Sequence, residues 1–353
     1  MRILSVVGAR PQFVKLAPVA AAANEAGIEH VVVHTGQHYD ENMSQSFFDT
    51  LRIPEPDVNL EVGSGNHGAQ TGSMMAALEP VFERYSPDWV LAYGDTNSTI
   101  ASAVCAVKLH LPLAHLEAGL RSFNRRMPEE HNRVLTDHAA DLCLAPTQVA
   151  VDHLTHEGLA KRTVLVGDVM TDVVLRVADA VRAEPVDSPI GLDETGYVVA
   201  TIHRPDNTDD RDRLAAILDV LAGLDRPVYL AAHPRLVARA EAFGLELQTG
   251  AVTAVPPLAY PQLVQALGGA GAVVTDSGGL QKEAFLLGVP TTTVRTETEW
   301  VETLDDGWNV LAPDPADVAS AVARPRPTTS RTNPYGDGTA AQQAVHTLQT
   351  WGR

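Results

Sequence analysis

The chain of 353 residues is long enough for two domains of ordinary size. Its formal net charge of −18 argues against nucleic acid or an acidic membrane as the main partner. A phosphorylated small molecule stays open, because arginines and helix N-termini grip phosphate locally even on an acidic protein. The two cysteines, Cys105 and Cys143, match no metal or redox spacing and are expected as small core residues in a reducing compartment. The first apolar run, ILSVV, is too short for a signal peptide and stops at GARP. No apolar stretch is long enough to span a bilayer, so the expected location is the cytoplasm.

In chain order, RILSVVG (2–8) predicts a buried strand. GARPQFVKLAPVAAAANEAG (8–27) predicts a turn and helix, with Arg10 and Lys15 where the helix dipole favours an anion. Functionally they would hold a diphosphate; otherwise they are surface charges. HVVVHTGQH (30–38) predicts a second strand whose polar end carries Gln37 and His38, and YDENMSQSFFDTLRI (39–53) reads as helical. A literal G-x-G-x-x-G follows at Gly63, Gly65 and Gly68. Its strand is short and polar, it sits in the third βα step, and no acid closes the next strand at about 20 residues. A flexible glycine loop over the site is the better reading.

WVLAYGD (89–95) and LPLAHLEAG (111–119) look like buried parallel strands, ending in Asp95 and Glu117. Glu129 is expected in a Pro-led turn before a helix containing His131 and Arg133. Ligands of open α/β sheets bind outside the carboxyl ends of the strands. Three acids and several bases on such an edge suggest a centre that moves protons. Asp95 would also suit a helix cap. Glu117 suits that less well, because a carboxylate at the end of an apolar strand is costly to bury without a partner. DLCLAPT (141–147), a helix at 148–157 and RTVLVGD (162–168) continue the rhythm, so this half reads as a doubly wound domain.

Residues 178–196, rich in Pro, Asp and Gly, break the pattern and mark the entry to a second domain. The expected division is 1–168 together with a terminal helix at 339–353, and 169–338. A first strand and loop are expected at YVVATIHRPDN, further strands at PVYLAAHP, GAVVTD and PTTTVR, and a short element near AVTAV. Their polar ends carry His203 and Arg204, His233 and Arg235, and Asp276 and Ser277. In TDSGGLQKEAFLLGVP (275–290), Ser277, Gly278 and Gly279 open a helix, where backbone N–H groups can approach an anion. Glu283, two turns in, could accept hydrogen bonds from ribose hydroxyls. A tight strand–helix turn with a surface acid is the plain alternative.

GARPQFVKLAPV, TGQHYD, GDTNST, HLEAGLRSFNRRMPEEHNR, TIHRPDN and DSGGLQKEAFLLGVP occur together and in order. In this the chain resembles the non-hydrolysing UDP-N-acetylglucosamine 2-epimerases over nearly its whole length. The resemblance implies an α/β fold with two Rossmann-like domains facing a cleft, glycosyltransferase-B-like, and a C-terminal helix crossing back to the first domain. It also implies a UDP-sugar substrate, a cytoplasmic homodimer, and no metal or nicotinamide cofactor. By motif, Arg10 and Lys15 would approach the diphosphate. Asp95, Glu117 and Glu129 would be the catalytic acids, with His203 facing them. Ser277, Gly278, Gly279 and Glu283 would hold phosphate and ribose, with His233 and Arg235 on the same edge. GARPQF, and ETEW with Trp300 where the better-known bacterial branch has arginine, look closer to relatives acting on UDP-2,3-diacetamido-glucuronate. YDENM after the GQH loop departs from members with a second, activating sugar-nucleotide site. A UDP-sugar glycosyltransferase is the alternative class, since fold alone does not separate the two.

Overall fold

The computed structural model describes residues 1–37, 53–191, 195–329 and 333–352, and only the backbone of Arg10. His38, the YDENM segment and most of the helix expected at 39–53 lie outside the described residues. The chain divides into two compact units, Met1–Val173 with Asn333–Arg353, and Val174–Thr332.

In the first unit the elements follow as β1 (Arg2–Val7), α1 (Arg10–Glu25), β2 (Glu29–His34), β3 (Val58–Asn59), α2 (His67–Tyr85), β4 (Trp89–Tyr93) and α3 (Asn97–Lys108). Then come β5 (Leu113–Leu116), α4 (Pro128–Ala139), β6 (Leu142–Ala145), α5 (Gln148–His156), β7 (Thr163–Leu165) and α6 (Val169–Ala183), which runs into the second unit. Among the described residues the strands form one parallel sheet in the order β3-β2-β1-β4-β5-β6-β7. Helices cover both faces of such a sheet, so its central strands are continuous apolar runs, and β4 is buried throughout. Leu4, Val6, Val90 and Ala92 face one side and join Met74, Leu78 and Phe82 of α2 in a core. Alternate residues face the other side. There Ser5 Oγ lies 2.7 Å from His30 Nε2 and 2.9 Å from the Tyr93 hydroxyl. The strand order reverses between β1 and β4, where ligands of open sheets bind.

The second unit contains β8 (Val198–Thr201), α7 (Pro205–Thr208), α8 (Arg211–Ala222), β9 (Val228–Ala231), α9 (Pro234–Phe243), β10 (Val252–Val255) and α10 (Tyr260–Gly269). It continues with β11 (Ala272–Thr275), α11 (Gly278–Leu287), β12 (Thr291–Thr293), β13 (Asn309–Leu311) and α12 (Val318–Ala323). Its parallel order is β10-β9-β8-β11-β12-β13, reversing between β8 and β11. The short strands β3 and β13 were not expected, since two or three residues are too few to display a period.

The last helix, α13 (Ala340–Thr350), belongs to the first unit and packs on α1. The Trp89 indole N–H donates to the Leu348 carbonyl at 3.1 Å. The Asp172 carboxylate accepts from the backbone N–H of Ala340 and Ala341 at 3.1 and 2.8 Å, satisfying two orphan donors of the helix start. Burial pushes that carboxyl up to about 6 despite the two donors. Cys105 and Cys143 are core residues, and burial raises their thiols to about 11 and about 12.

Burial pushes the His30 imidazole down from its ordinary 6.5 to about 4. The unfolded chain takes up that proton first, so this contribution is intact above pH 6.5 and is lost as pH falls towards 4, by about 3 kcal/mol in all. His30→Gln, which does not titrate, should therefore show a shallower fall in melting temperature between pH 7 and 4.5. Equal slopes would count against this account.

Candidate active site

β4 ends at Tyr93, and the chain turns through Gly94, φ +62°, into Asp95. Thr96 caps α3, its backbone N–H bonded to Thr99 Oγ1 at 3.0 Å, so Asp95 is not the cap. Instead Asp95 pairs with Arg133 of α4, Nη2 to Oδ2 at 2.5 Å, and keeps about a third of its side chain exposed (32%). Arg133 Nη1 reaches Glu130 at 2.9 Å. Glu130 also accepts from the Ser122 and Phe123 backbone N–H groups and the Ser122 hydroxyl, at 2.8–3.0 Å. Burial alone would raise the Glu130 carboxyl, but these donors and Arg133 outweigh it and hold it below its ordinary value. Glu130 is thus a fixed support for the Ser122–Phe123 turn.

Glu117 follows β5 in the left-handed region, φ +75°, a conformation that costs a non-glycine residue roughly 1–3 kcal/mol. Its side chain is 9% exposed and forms an ion pair with Lys15 of α1. Burial favours the neutral lysine, but the charge and hydrogen bond of Glu117, with Asp95 and Asp168 beyond, hold the ammonium above its ordinary value. Burial likewise opposes the Arg133 charge, and Asp95, Glu130 and Glu117 outweigh it. Asp95 and Glu117 therefore share one electrostatic neighbourhood with two cations.

Glu129 lies inside the first turn of α4 rather than in a turn before it, because Pro128 occupies the first helical position. It is half-buried, and among the described residues no hydrogen bond or ion pair ties its carboxylate down. His131 Nε2 lies 2.9 Å from the Arg125 carbonyl. The Gly63–Gly68 run forms the approach to α2, with Gly68 already helical. Gln70 closes it with a hydrogen bond to the Gly63 carbonyl at 2.8 Å.

In the second unit, Asp276 is wholly buried after β11. It accepts from the backbone N–H of His203 and Arg204 and from the Asn207 amide at 2.9–3.1 Å, and lies 3.3 Å from His203 Nδ1. It thereby fixes the loop after β8. The His203 and His233 rings lie 5.1 Å apart. His233 caps α9, its Nδ1 accepting from Arg235 N at 3.1 Å. Burial lowers the His233 imidazole, and His203 and Arg235 add to that. The Arg235 guanidinium turns to Thr208 and Asp209 at 2.9 and 2.5 Å.

Ser277 caps α11. Gly279 is exposed and Glu283 buried in the same helix. The Glu299 carboxylate lies so close to Gly278 that a Cβ there would clash, and Arg295 pairs with Glu299 at 3.0 Å. Trp300 is buried under the Lys282 ammonium, 3.7 Å from the ring centre. Reading the sequence alone missed the pairing roles of Lys15, Arg133 and Asp276, whose partners are far away in the chain. Among the described residues, no group of three His, Cys, Asp or Glu side chains could hold a metal ion. Nor is any helix among them long and apolar enough to cross a membrane.

Two doubly wound units, one with acids at its strand ends and one with a Ser-Gly-Gly helix start, define the glycosyltransferase-B-like class of α/β proteins. A model of the UDP-N-acetylglucosamine 2-epimerase family matches residues 20–349. A UDP-2,3-diacetamido-2,3-dideoxy-D-glucuronate 2-epimerase of Pseudomonas aeruginosa is 47% identical over 332 residues, 92% of each chain. A UDP-N-acetylglucosamine 2-epimerase of Methanocaldococcus jannaschii is 36% identical over 100% of both chains. The crystal structure of the Methanocaldococcus jannaschii UDP-GlcNAc 2-epimerase with UDP-GlcNAc and UDP aligns with a TM-score of 0.84, at 36% identity and 99% coverage of both chains. The chain belongs to the UDP-N-acetylglucosamine 2-epimerase family.

Removing Arg133 strands two carboxylates. Arg133→Met should lower stability by about 3 kcal/mol, and Arg133→Lys, which keeps the charge but not the fork, by less. Urea denaturation checks the order; equal midpoints for Arg133→Met and the wild type would refute it.

Proposed function

We propose that this chain is a non-hydrolysing UDP-N-acetylglucosamine 2-epimerase, interconverting UDP-GlcNAc and UDP-ManNAc. The observation that supports it best is the acid pair Asp95 and Glu117 at adjacent strand ends, each beside its own cation. Carbon 2 of an N-acetylhexosamine has no neighbouring carbonyl, so direct proton abstraction leaves no stabilised carbanion. Cleavage of the bond between carbon 1 and the UDP oxygen develops positive charge at carbon 1, which acidifies the proton on carbon 2. A carboxylate takes that proton, the bonding pair becomes the double bond of a glycal, and UDP leaves with the electrons of the broken bond. A carboxylic acid then delivers a proton to the other face of carbon 2, and UDP adds back at carbon 1. No electrons are gained or lost overall.

In this reading Asp95, Glu117 and Glu129 share the proton transfers. His203 assists the departing phosphate. Arg10, Lys15, Ser277, Gly278 and Gly279 hold the diphosphate, where preorganised donors stabilise the leaving group, and Glu283 takes the ribose. The half-buried Glu129 has a carboxylate free of ties to described residues, which suits a group that must change protonation. Lys15 serves first as the counter-ion of Glu117, and His233 and Arg235 serve the β9 edge. A glycosyltransferase could use one carboxylate as a base, and the cluster of three favours the epimerase. A cytoplasmic homodimer is the expected setting, on the resemblance.

A second substrate reading has its own support. The 47% identity to a UDP-2,3-diacetamido-glucuronate 2-epimerase, and Trp300 in the ETEW segment, favour a modified uronic-acid sugar as the physiological substrate.

Both readings are tested by incubating the pure protein with a panel of UDP-sugars in heavy water and following carbon 2 by NMR. Epimerisation with deuterium gained at carbon 2 is expected, and the sugar turned over fastest identifies the substrate. Turnover without deuterium would sink the elimination route. Glu117→Gln should lower kcat by about 10²–10⁴-fold.

A further inference from the structure

One buried ring ties together the two turns that present Asp95 and Glu117. His115 lies in β5, two residues before Glu117, with no exposed side-chain surface. Its Nε2 is 2.6 Å from the Gly94 carbonyl oxygen, and its Nδ1 is 2.6 Å from Oδ1 of Asp137 in α4. A carbonyl only accepts, so Nε2 donates. Burial favours the protonated Asp137, but His115 and then Arg121 outweigh it and hold the carboxyl below its ordinary value.

The other Asp137 oxygen accepts from the Gly119 backbone N–H at 3.1 Å and pairs with Arg121 at 2.7 Å. Arg121 in turn forks onto Glu157, Nε at 2.8 Å and Nη2 at 2.7 Å. Gly94 and Gly119 both have positive φ, +62° and +85°. Gly94 precedes Asp95, and Gly119 follows Glu117 by two residues. The His115–Asp137 pair therefore fastens the turn of each acid from beneath. Packing alone does not call for it, because apolar residues of similar volume serve a buried strand at least as well as a charged network.

We propose that His115, backed by Asp137, is a positioning residue: it fixes the Gly94 and Gly119 turns so that Asp95 and Glu117 are set for proton transfer at the sugar. The proposal rests on the epimerase reading, and deuterium uptake by the wild-type protein tests that reading separately. His115→Gln has no ring to carry polar atoms towards both partners at once, and Asp137→Asn keeps the shape while removing the charge. Loss of registry of this kind should lower kcat by about 10²-fold, while KM and UDP affinity stay within roughly 2-fold. Near wild-type kcat in either variant would overturn the proposal, and so would a fall in kcat matched by an equal loss of UDP affinity. A measurement on the wild-type protein covers the case where neither variant folds. In its assigned ¹⁵N-histidine spectrum Nε2 of His115 should carry a proton hydrogen-bonded to the Gly94 carbonyl, and a bare Nε2 would overturn the bridge. If the wild type turned over no UDP-sugar yet showed that Nε2–H signal, the epimerase reading would fall and the bridge would stand.

Discussion

Ionised carboxylates gathered at the edge of a sheet repel one another, and cations standing among them offset that repulsion. Two unit charges 4 Å apart repel by about 4 kcal/mol at an effective dielectric of 20, a large share of the stability of a domain. In this protein Lys15 answers Glu117, while Arg133 answers Asp95 and Glu130 together. Much of the first unit can be understood as the means of delivering those two side chains. α1 leaves β1 beside β4 and places Lys15 over the end of β5. α4 follows β5 and lays Arg133 under the turn after β4. The strands that precede the two helices run parallel, so both helices start at the same edge of the sheet. The left-handed Glu117 backbone is the strain accepted for pointing that carboxylate at Lys15.

The second unit solves a different problem with similar means. Its loops after β8 and β11 must hold polar groups still without a large side-chain network. Asp276 does this by accepting backbone N–H groups from the neighbouring loop, and the Thr201 and Thr275 hydroxyls meet at 2.6 Å one step below. The Ser277 backbone N–H bonds back to Thr275 Oγ1 at 2.9 Å, so the start of α11 is tied to the same point. His203 and Ser277 are thus held through one buried carboxylate and one pair of threonines. For the nucleotide contact proposed here, a mobile loop would gain less, because each loop ordered on binding costs entropy.

Strand ends were legible because fully buried parallel strands appear as apolar runs, and the first polar residue after such a run marks the edge. Asp95, Glu117, His203 and Ser277 stand out on that ground. The partners were not legible. Lys15 and Glu117 are 102 residues apart, and Arg133 and Asp95 are 38 apart. No periodicity encodes such a meeting; it follows only once strand order is known. Glu129 and Glu130 look interchangeable in the PEE motif. Helix geometry separates them, turning Glu130 inward to Arg133 and the Ser122–Phe123 turn and leaving Glu129 half-buried. His115 had a signal that could have been used, since a histidine inside an otherwise apolar strand must find partners.

Net charge sets a last constraint on how a diphosphate can be bound. At −18 the protein's overall field opposes a dianionic nucleotide, so long-range steering works against encounter rather than for it. Attraction in the proposed reaction has to come from groups acting at contact distance. Backbone N–H groups at a helix start meet that requirement, because their partial charges are fixed and fall off within the first turn. A lysine or arginine already engaged meets it less well. Lys15 is paired with Glu117, Arg235 with Asp209, and Arg295 with Glu299. A phosphate reaching these cations must displace or share their carboxylate partners, which trades one ion pair for another. The gain from such an exchange is small until the substrate's charge grows, and it grows when UDP departs. In the proposed reaction, cations with a prior partner would therefore contribute more to a leaving diphosphate than to the bound substrate, which is the differential that accelerates a reaction.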